Sequence, residues 1–74
     1  MVTEPEKQQI RLNGQQVSLV APTVTALLGS MEIDPSQSGI AVALNGSVIP
    51  RAAWAQTPLH PGDSVEVVRA RQGG

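Results

Sequence analysis

The sequence predicts an α+β fold, in which a mixed sheet of four to five strands carries one main helix on one face. Three observations predict it. A run of alternating polar and apolar residues around Asn13 and Gly14 is typical of a β-hairpin. An apolar stripe at helical spacing follows the hairpin, and further alternating runs follow the stripe.

The first two strands are predicted on either side of Asn13 and Gly14. This pair readily adopts the two positive-φ conformations of a type I′ turn. Apolar residues alternate with polar ones before and after it, at Ile10, Leu12, Val17 and Leu19. Ala21 and Pro22 are expected to end the second strand.

A helix is predicted after Thr23, a residue type that caps helix N-termini. Its apolar residues fall at i, i+3, i+4 and i+7, namely Val24, Leu27, Leu28 and Met31. Gly29 weakens this helix, and Asp34 and Pro35 are expected to end it.

Residues 40–44 alternate branched side chains with alanine, which favours a central strand packed under the helix. A second Asn-Gly pair follows, and Pro50 confines residues 48–50 to a sheet edge or strand end. Pro50 also suits the first turn of a short helix, in which Trp54 is predicted to cover a thin core. For Asn13 and Asn45 no role beyond turn formation is predicted.

The last strand is predicted over residues 64–71, after a type II turn at residues 60–63. Val65 and Val67 are expected to face one way, and Glu66, Val68 and Ala70 the other. This order of elements is the β-grasp, or ubiquitin-like, pattern, in which the two terminal strands pair at the centre. We predict a flexible leader (residues 1–8), one domain (9–71) and a flexible C-terminal tail (72–74).

Composition narrows the range of functions. The 74 residues carry a formal net charge of −1, which gives no electrostatic case for nucleic acid or an anionic membrane. No cysteine is present and only one histidine, His60, so neither a thiolate nor a metal site is predicted. No catalytic constellation, signal peptide or membrane-spanning run is recognisable. We predict a cytoplasmic, monomeric protein that is not an enzyme.

The second half of the chain resembles the ThiS family, the sulfur carrier proteins of thiamine biosynthesis. The residues that carry the resemblance are A-L-N-G-S-V-I-P-R at 43–51, Trp54 with Ala55, T-P-L at 57–59, P-G-D-S-V-E-V-V at 61–68, and Gly73 with Gly74. The first half matches in its pattern of hairpin and helix. The small subunits of molybdopterin synthase are similar in shape.

The resemblance implies that Gly74 is the reactive residue. Its terminal carboxylate has an ordinary pKa of about 3.3–3.7, and this anion is a poor electrophile until ATP converts it to an acyl-adenylate. A ThiF-type enzyme would form the adenylate, a sulfur donor such as a cysteine desulfurase would convert it to a thiocarboxylate, and a ThiG-type thiazole synthase would take the sulfur. The chain needs no cofactor of its own, because the partner uses the ATP.

Two glycines can thread a narrow channel in the partner, so Gly73 and Gln72 are predicted to lie in that channel. Arg69 and Arg71 either solvate the emerging strand or steer the tail toward an acidic groove or a nucleotide phosphate. Val68 is predicted to belong to an apolar docking patch on the open face of the sheet. Two alternatives stay open: a sulfur carrier for molybdopterin or cysteine synthesis, and a β-grasp interaction module that carries no sulfur.

Overall fold

The computed structural model describes residues 8–19 and 21–70. They form five strands, one α-helix and one 3₁₀ helix: β1 (Gln9–Leu12), β2 (Gln15–Ser18), α1 (Val24–Ser30), β3 (Ile40–Leu44), β4 (Ser47–Ile49), the 3₁₀ helix (Arg51–Gln56) and β5 (Ser64–Arg69). The strands form one sheet in the order β2-β1-β5-β3-β4. The β1–β5 pair is parallel and the other pairs are antiparallel, which confirms the predicted mixed sheet.

Both Asn-Gly pairs form the predicted hairpin turns. The φ angles are 52° at Asn13 and 84° at Gly14, and 51° at Asn45 and 89° at Gly46. These are the left-handed conformations of a type I′ turn, whose twist matches that of the flanking strands. The pairs therefore set the register of β1 against β2 and of β3 against β4.

Two strand ends fall earlier than predicted. Strand β2 ends at Ser18, before Ala21 and Pro22, because its partner β1 begins at the residue opposite. Strand β5 ends at Arg69, not at Arg71, because β3 begins opposite Arg69. The ladders are therefore limited by the length of the neighbouring strands.

The helix begins as predicted and ends sooner. The Thr23 side chain accepts a hydrogen bond from the Ala26 backbone N–H at 3.2 Å, so Thr23 is the N-cap. The helix ends at Ser30, and the prediction that Asp34 and Pro35 end it is wrong. A left-handed residue, Glu32, turns the chain before the proline is reached.

The end of the helix is a Schellman motif with glutamate at the left-handed position. Glu32 has a φ of 64°, and its N–H donates to the Gly29 carbonyl at 2.9 Å. The N–H of Ile33 donates to the Leu28 carbonyl at 2.9 Å, and both side chains are buried. Most helices use glycine at this position, because a Cβ is strained there.

We expect Glu32→Gly to raise the free energy of unfolding by about 0.5–1 kcal/mol. The substitution removes the steric cost of a Cβ in the left-handed conformation, which is about 1–2 kcal/mol. Glycine also increases the entropy of the unfolded chain, which cancels part of this gain. Glu32→Ala is the matched control, because it removes the charge and keeps the Cβ. Urea unfolding of both variants checks the prediction, and an alanine variant as stable as the glycine variant would contradict it.

The core lies between α1 and one face of the sheet. Trp54 is 3% exposed, and its indole Nε1 donates to the Ile49 carbonyl at 2.8 Å, which confirms that it covers the core. Pro50 lies directly before the 3₁₀ helix rather than within its first turn. The other buried side chains are Ile10, Ala21, Val24, Leu27, Leu28, Ile33, Ile40, Val42, Leu59, Val65 and Val67.

The turn before β5 has the predicted type II geometry. Gly62 has a φ of 91°, and the Asp63 N–H donates to the His60 carbonyl at 3.1 Å. The Asp63 side chain closes the turn by accepting from the His60 N–H at 2.8 Å. Neither helix in the described ranges is long and apolar enough to cross a bilayer.

Candidate functional site: the C-terminal end of strand β5

Strand β5 lies at the centre of the sheet and runs toward the C-terminus. On one side it pairs with β1, whose Arg11 N–H donates to the Asp63 carbonyl at 2.9 Å. On the other side it pairs with all of β3, from Leu44 opposite Val65 to Ile40 opposite Arg69. The pairing with β1 covers only Ser64 and Val65, so the C-terminal half of β5 is held in the sheet by β3.

Side chains of the two turn asparagines extend the hydrogen bonding of β5. The Asn13 carbonyl oxygen Oδ1 accepts from the Val67 N–H at 2.8 Å. The Asn45 Oδ1 accepts from the Ser64 N–H at 2.8 Å, and its Nδ2 donates to Asp63 Oδ1 at 3.0 Å. The prediction that these asparagines only form turns is therefore wrong.

The last described residue, Ala70, is held by a close backbone contact. Its N–H donates to the Gly39 carbonyl at 2.7 Å. Gly39 has a φ of 82°, and a Cβ built on it would lie 3.3 Å from the Ala70 carbonyl oxygen. The position of Gly39 therefore fixes where the chain leaves the sheet, and only glycine fits there without strain.

Val68 lies on the outer face of the sheet, opposite the helix. Val68 and Val48 are the large apolar side chains exposed in the described part of the chain, at 59% and 73%. Val68 pairs with Ala41 and Val48 pairs with Ala43, so these four apolar residues form an outer patch, which the exposed Glu66 borders opposite Ala43. The structure thus places Val68 on the open face, as predicted.

Arg69 does not share a face with Val68. It follows Val68 directly in the strand, so its side chain leaves the other face of the sheet, the face that α1 covers, and is exposed at the sheet's end. An outer-face partner that covers Val68 would therefore not meet Arg69 on the same surface. Its steering role stays a prediction.

Four of the predicted site residues, Arg71, Gln72, Gly73 and Gly74, lie outside the described residues. The described part of the candidate site is therefore the C-terminal end of β5, which precedes these four residues. Its geometry depends on Asn13, for which only a turn was predicted, and on Gly39, for which no role was predicted.

His60 is exposed, with 69% of its side chain accessible. Its Nδ1 lies 3.8 Å from Asp63 Oδ2. Within residues 8–19 and 21–70, no group of three or more histidine and acidic side chains could hold a metal ion.

Comparison with known proteins identifies the family. The sequence model of the ThiS family matches residues 10–74, from the second residue of β1 through the tail. The chain belongs to the ThiS family. The predicted resemblance is confirmed, and the match extends it from the second half of the chain to nearly the whole of it.

Two relatives differ in length. A ThiS-family protein of Escherichia coli, named sulfur carrier protein ThiS, is 36% identical over 67 residues, which are 89% of this chain and 98% of that protein. A protein of Paramagnetospirillum magneticum named thiazole synthase is 34% identical over 64 residues. The match covers 85% of this chain and 19% of the thiazole synthase, so this chain corresponds to about a fifth of that protein.

A solved ThiS structure has the same fold. The crystal structure of the thiamine biosynthesis protein ThiS from Geobacter metallireducens superposes with a TM-score of 0.72 at 30% identity. It covers 89% of this chain and 99% of that one. The solution structure of a thiamine biosynthesis protein from the same organism gives a TM-score of 0.71. The predicted β-grasp fold is confirmed.

Proposed function

We propose that this ThiS-family chain is a sulfur carrier in thiamine biosynthesis and that sulfur is carried on the carboxyl group of Gly74. The observation that carries the proposal is that the family match runs through Gly73 and Gly74, four and five residues beyond the end of the central strand. The relative that the chain covers almost completely is named a sulfur carrier protein. A central strand followed by two glycines presents a carbonyl carbon without side chains around it.

The chain is a substrate in this chemistry and supplies no catalyst or cofactor. A ThiF-type enzyme transfers AMP from ATP to the Gly74 carboxylate and releases pyrophosphate. A donor persulfide, such as that formed by a cysteine desulfurase, then attacks the carbonyl carbon and displaces AMP, which gives an acyl disulfide. A thiol reductant cleaves the S–S bond of this acyl disulfide and leaves the thiocarboxylate. AMP is a better leaving group than an oxygen of the free carboxylate, so activation lowers the barrier to attack on the carbonyl carbon.

A ThiG-type thiazole synthase is the proposed consumer of the sulfur. Its support is the similarity between this chain and about a fifth of a protein named thiazole synthase. A segment that resembles the carrier within that polypeptide would keep the sulfur near its acceptor. We place the carrier in the cytoplasm as a monomer, where ATP and the partner enzymes are available.

Intact mass spectrometry tests the proposal. The protein is incubated with ATP, the cognate ThiF-type enzyme, a sulfur donor and a thiol reductant, and a parallel sample omits ATP. We expect the mass gain of one oxygen exchanged for one sulfur, only with ATP, and loss of that sulfur when a thiazole synthase and its substrates are added. If the chain gives up its sulfur only to an enzyme of molybdopterin or cysteine synthesis, the carrier belongs to that pathway. If its mass does not change, the chain is an interaction module that carries no sulfur.

The outer patch is the proposed contact for the activating enzyme, and Val68→Asp tests it. We expect the KM of that enzyme for this chain to rise about tenfold or more, because an unpaired carboxylate at an apolar contact costs more than about 1.4 kcal/mol. The matched control is Ser18→Asp, which adds the same charge on the polar half of the same face. Steady-state kinetics at fixed ATP measure both variants, and equal KM values for the two would exclude the patch as the contact.

A further inference from the structure

Arg51 joins the 3₁₀ helix to the loop formed by residues 34–39. Its guanidinium Nη1 donates to the Pro35 carbonyl, and its Nη2 donates to the Gln37 carbonyl at 2.7 Å. The guanidinium carbon lies 4.6 Å from the centroid of the buried Trp54 ring, so the side chain is held from below as well. A planar fork of donors on an aromatic face suits arginine and not lysine, whose ammonium is a single point charge.

The 34–39 loop is ordered by its own hydrogen bonds. Asp34 Oδ1 accepts from the Ser36 N–H at 2.9 Å and from the Ser36 hydroxyl at 2.7 Å. The Gln37 N–H donates to the Asp34 carbonyl at 2.9 Å. Bonds from the Ser36 backbone and hydroxyl, together with the nearby charge of Arg51, lower the pKa of Asp34. The loop is therefore a compact turn, and Arg51 binds it to the 3₁₀ helix.

The other end of this loop meets the base of the tail. Gly39 ends the loop, and its carbonyl accepts from the Ala70 N–H at 2.7 Å. The contact is close, since a Cβ on Gly39 would lie 3.3 Å from the Ala70 carbonyl oxygen. The Ile40–Arg69 pair holds the end of β5, and the Gly39 carbonyl holds the next residue, so a displacement of the loop would release the Ala70 N–H.

We propose that Arg51 is a positioning residue for sulfur transfer, which acts through the 34–39 loop to fix Ala70 at the base of the tail. The inference rests on the proposed function, because it assigns the arginine to the delivery of Gly74. The path from the guanidinium to Ala70 consists of two carbonyl contacts, a short turn and one backbone hydrogen bond. Within the described residues, the side chain of Arg51 contacts Pro35, Gln37 and Trp54, which are not part of the outer patch, so we expect Arg51 to affect turnover and not docking.

Amide hydrogen exchange tests the first half of this proposal without any partner. In Arg51→Lys and Arg51→Ala we expect the Ala70 amide to exchange about tenfold faster or more, because its acceptor is no longer held in place. The Val67 amide is the internal reference, because Asn13 and not the loop binds it. Arg11→Ala is the matched control, since Arg11 is an exposed arginine on β1.

Kinetics of thiocarboxylation test the second half. We expect kcat to fall about tenfold to a hundredfold in both Arg51 variants with KM unchanged, since a misplacement of about 1 Å can cost that much. Gly39→Ala disturbs the contact between Gly39 and Ala70 directly. We expect it to lower kcat by a similar factor, with KM unchanged, although Arg51 is intact. Because Val68→Asp raises KM, the two effects are separable.

The outcomes decide the proposal even if one variant is unstable. Faster exchange at Ala70 alone, with reduced kcat, supports the positioning role. Unchanged exchange at Ala70 would overturn it, and so would equal acceleration of every amide, which means that Arg51 only stabilises the whole domain. Should Arg51→Ala not fold, Arg51→Lys and Gly39→Ala give the same decision. If the wild-type chain takes up no sulfur, the proposed function fails, whereas exchange at Ala70 still reports whether Arg51 fixes the base of the tail.

Discussion

Deletion of Gly74 is expected to abolish thiocarboxylation of this chain and to leave its fold unchanged. The remaining carboxylate, on Gly73, would stop one residue short, about 3.3–3.6 Å from the position in which the partner activates it. Adenylation needs the carboxylate in line with the α-phosphate of ATP, so we expect the rate to fall about a hundredfold or more. Intact mass spectrometry after incubation with ATP, the activating enzyme and a sulfur donor measures the product.

Gly74→Ala separates the length of the tail from crowding at its end. This variant keeps the carboxylate at the correct distance and adds one methyl group beside the reacting carbon, so we expect it to lose most of its thiocarboxylation. Both variants should unfold at the wild-type temperature, because residues 71–74 follow the last residue of β5 and the described core lies before them. Undiminished thiocarboxylation of either variant would show that Gly74 is not the carrier residue.

The parts of the fold that could be predicted from the sequence are set by neighbouring residues. Asn13 with Gly14 and Asn45 with Gly46 favour positive φ on their own, so both hairpins follow from dipeptides. Thr23 caps a helix through a bond to an N–H three residues later, which is again local. Such signals need no knowledge of the rest of the chain.

The parts that could not be predicted depend on contacts between distant segments or on strain. Asn13 binds the Val67 N–H across 54 positions of the sequence, and Arg51 reaches the Gln37 carbonyl across 14. No short-range pattern encodes either pair. Glu32 ends the helix in a left-handed conformation that its side chain disfavours. Residue preferences therefore predict the end of the helix at the later proline.

The same distinction applies to the candidate site. Val68 was predictable, because strand alternation alone places it opposite the buried Val67. Alternation also places Arg69 on the opposite face of the sheet from Val68, although the sequence suggests a role in partner binding for both. Gly39 could not be found from sequence, because its importance comes from the approach of Ala70, which belongs to another strand.

Substitution of Trp54 is expected to have the largest effect on stability. Its side chain is 3% exposed and belongs to the buried core, and its indole N–H satisfies the Ile49 carbonyl. Trp54→Ala should lower the free energy of unfolding by about 3–5 kcal/mol. A domain of this size has a total of about 4–11 kcal/mol, so the variant is expected to lose about half of it. Urea unfolding followed by far-ultraviolet circular dichroism measures the loss without using tryptophan fluorescence.

Trp54→Phe divides the effect into packing and hydrogen bonding. Phenylalanine keeps an aromatic ring under the Arg51 guanidinium but leaves the Ile49 carbonyl without its donor, so we expect a smaller loss of about 1–3 kcal/mol. A loss below about 1 kcal/mol for the alanine variant would contradict the role of Trp54, since burial of a large aromatic side chain accounts for more than that. Because Trp54 also supports Arg51, we expect faster exchange at Ala70 in the alanine variant than in the phenylalanine variant. If exchange at Ala70 rises more than exchange at the Val67 amide, the stability of the core and the position of Ala70 are linked through the Trp54 ring.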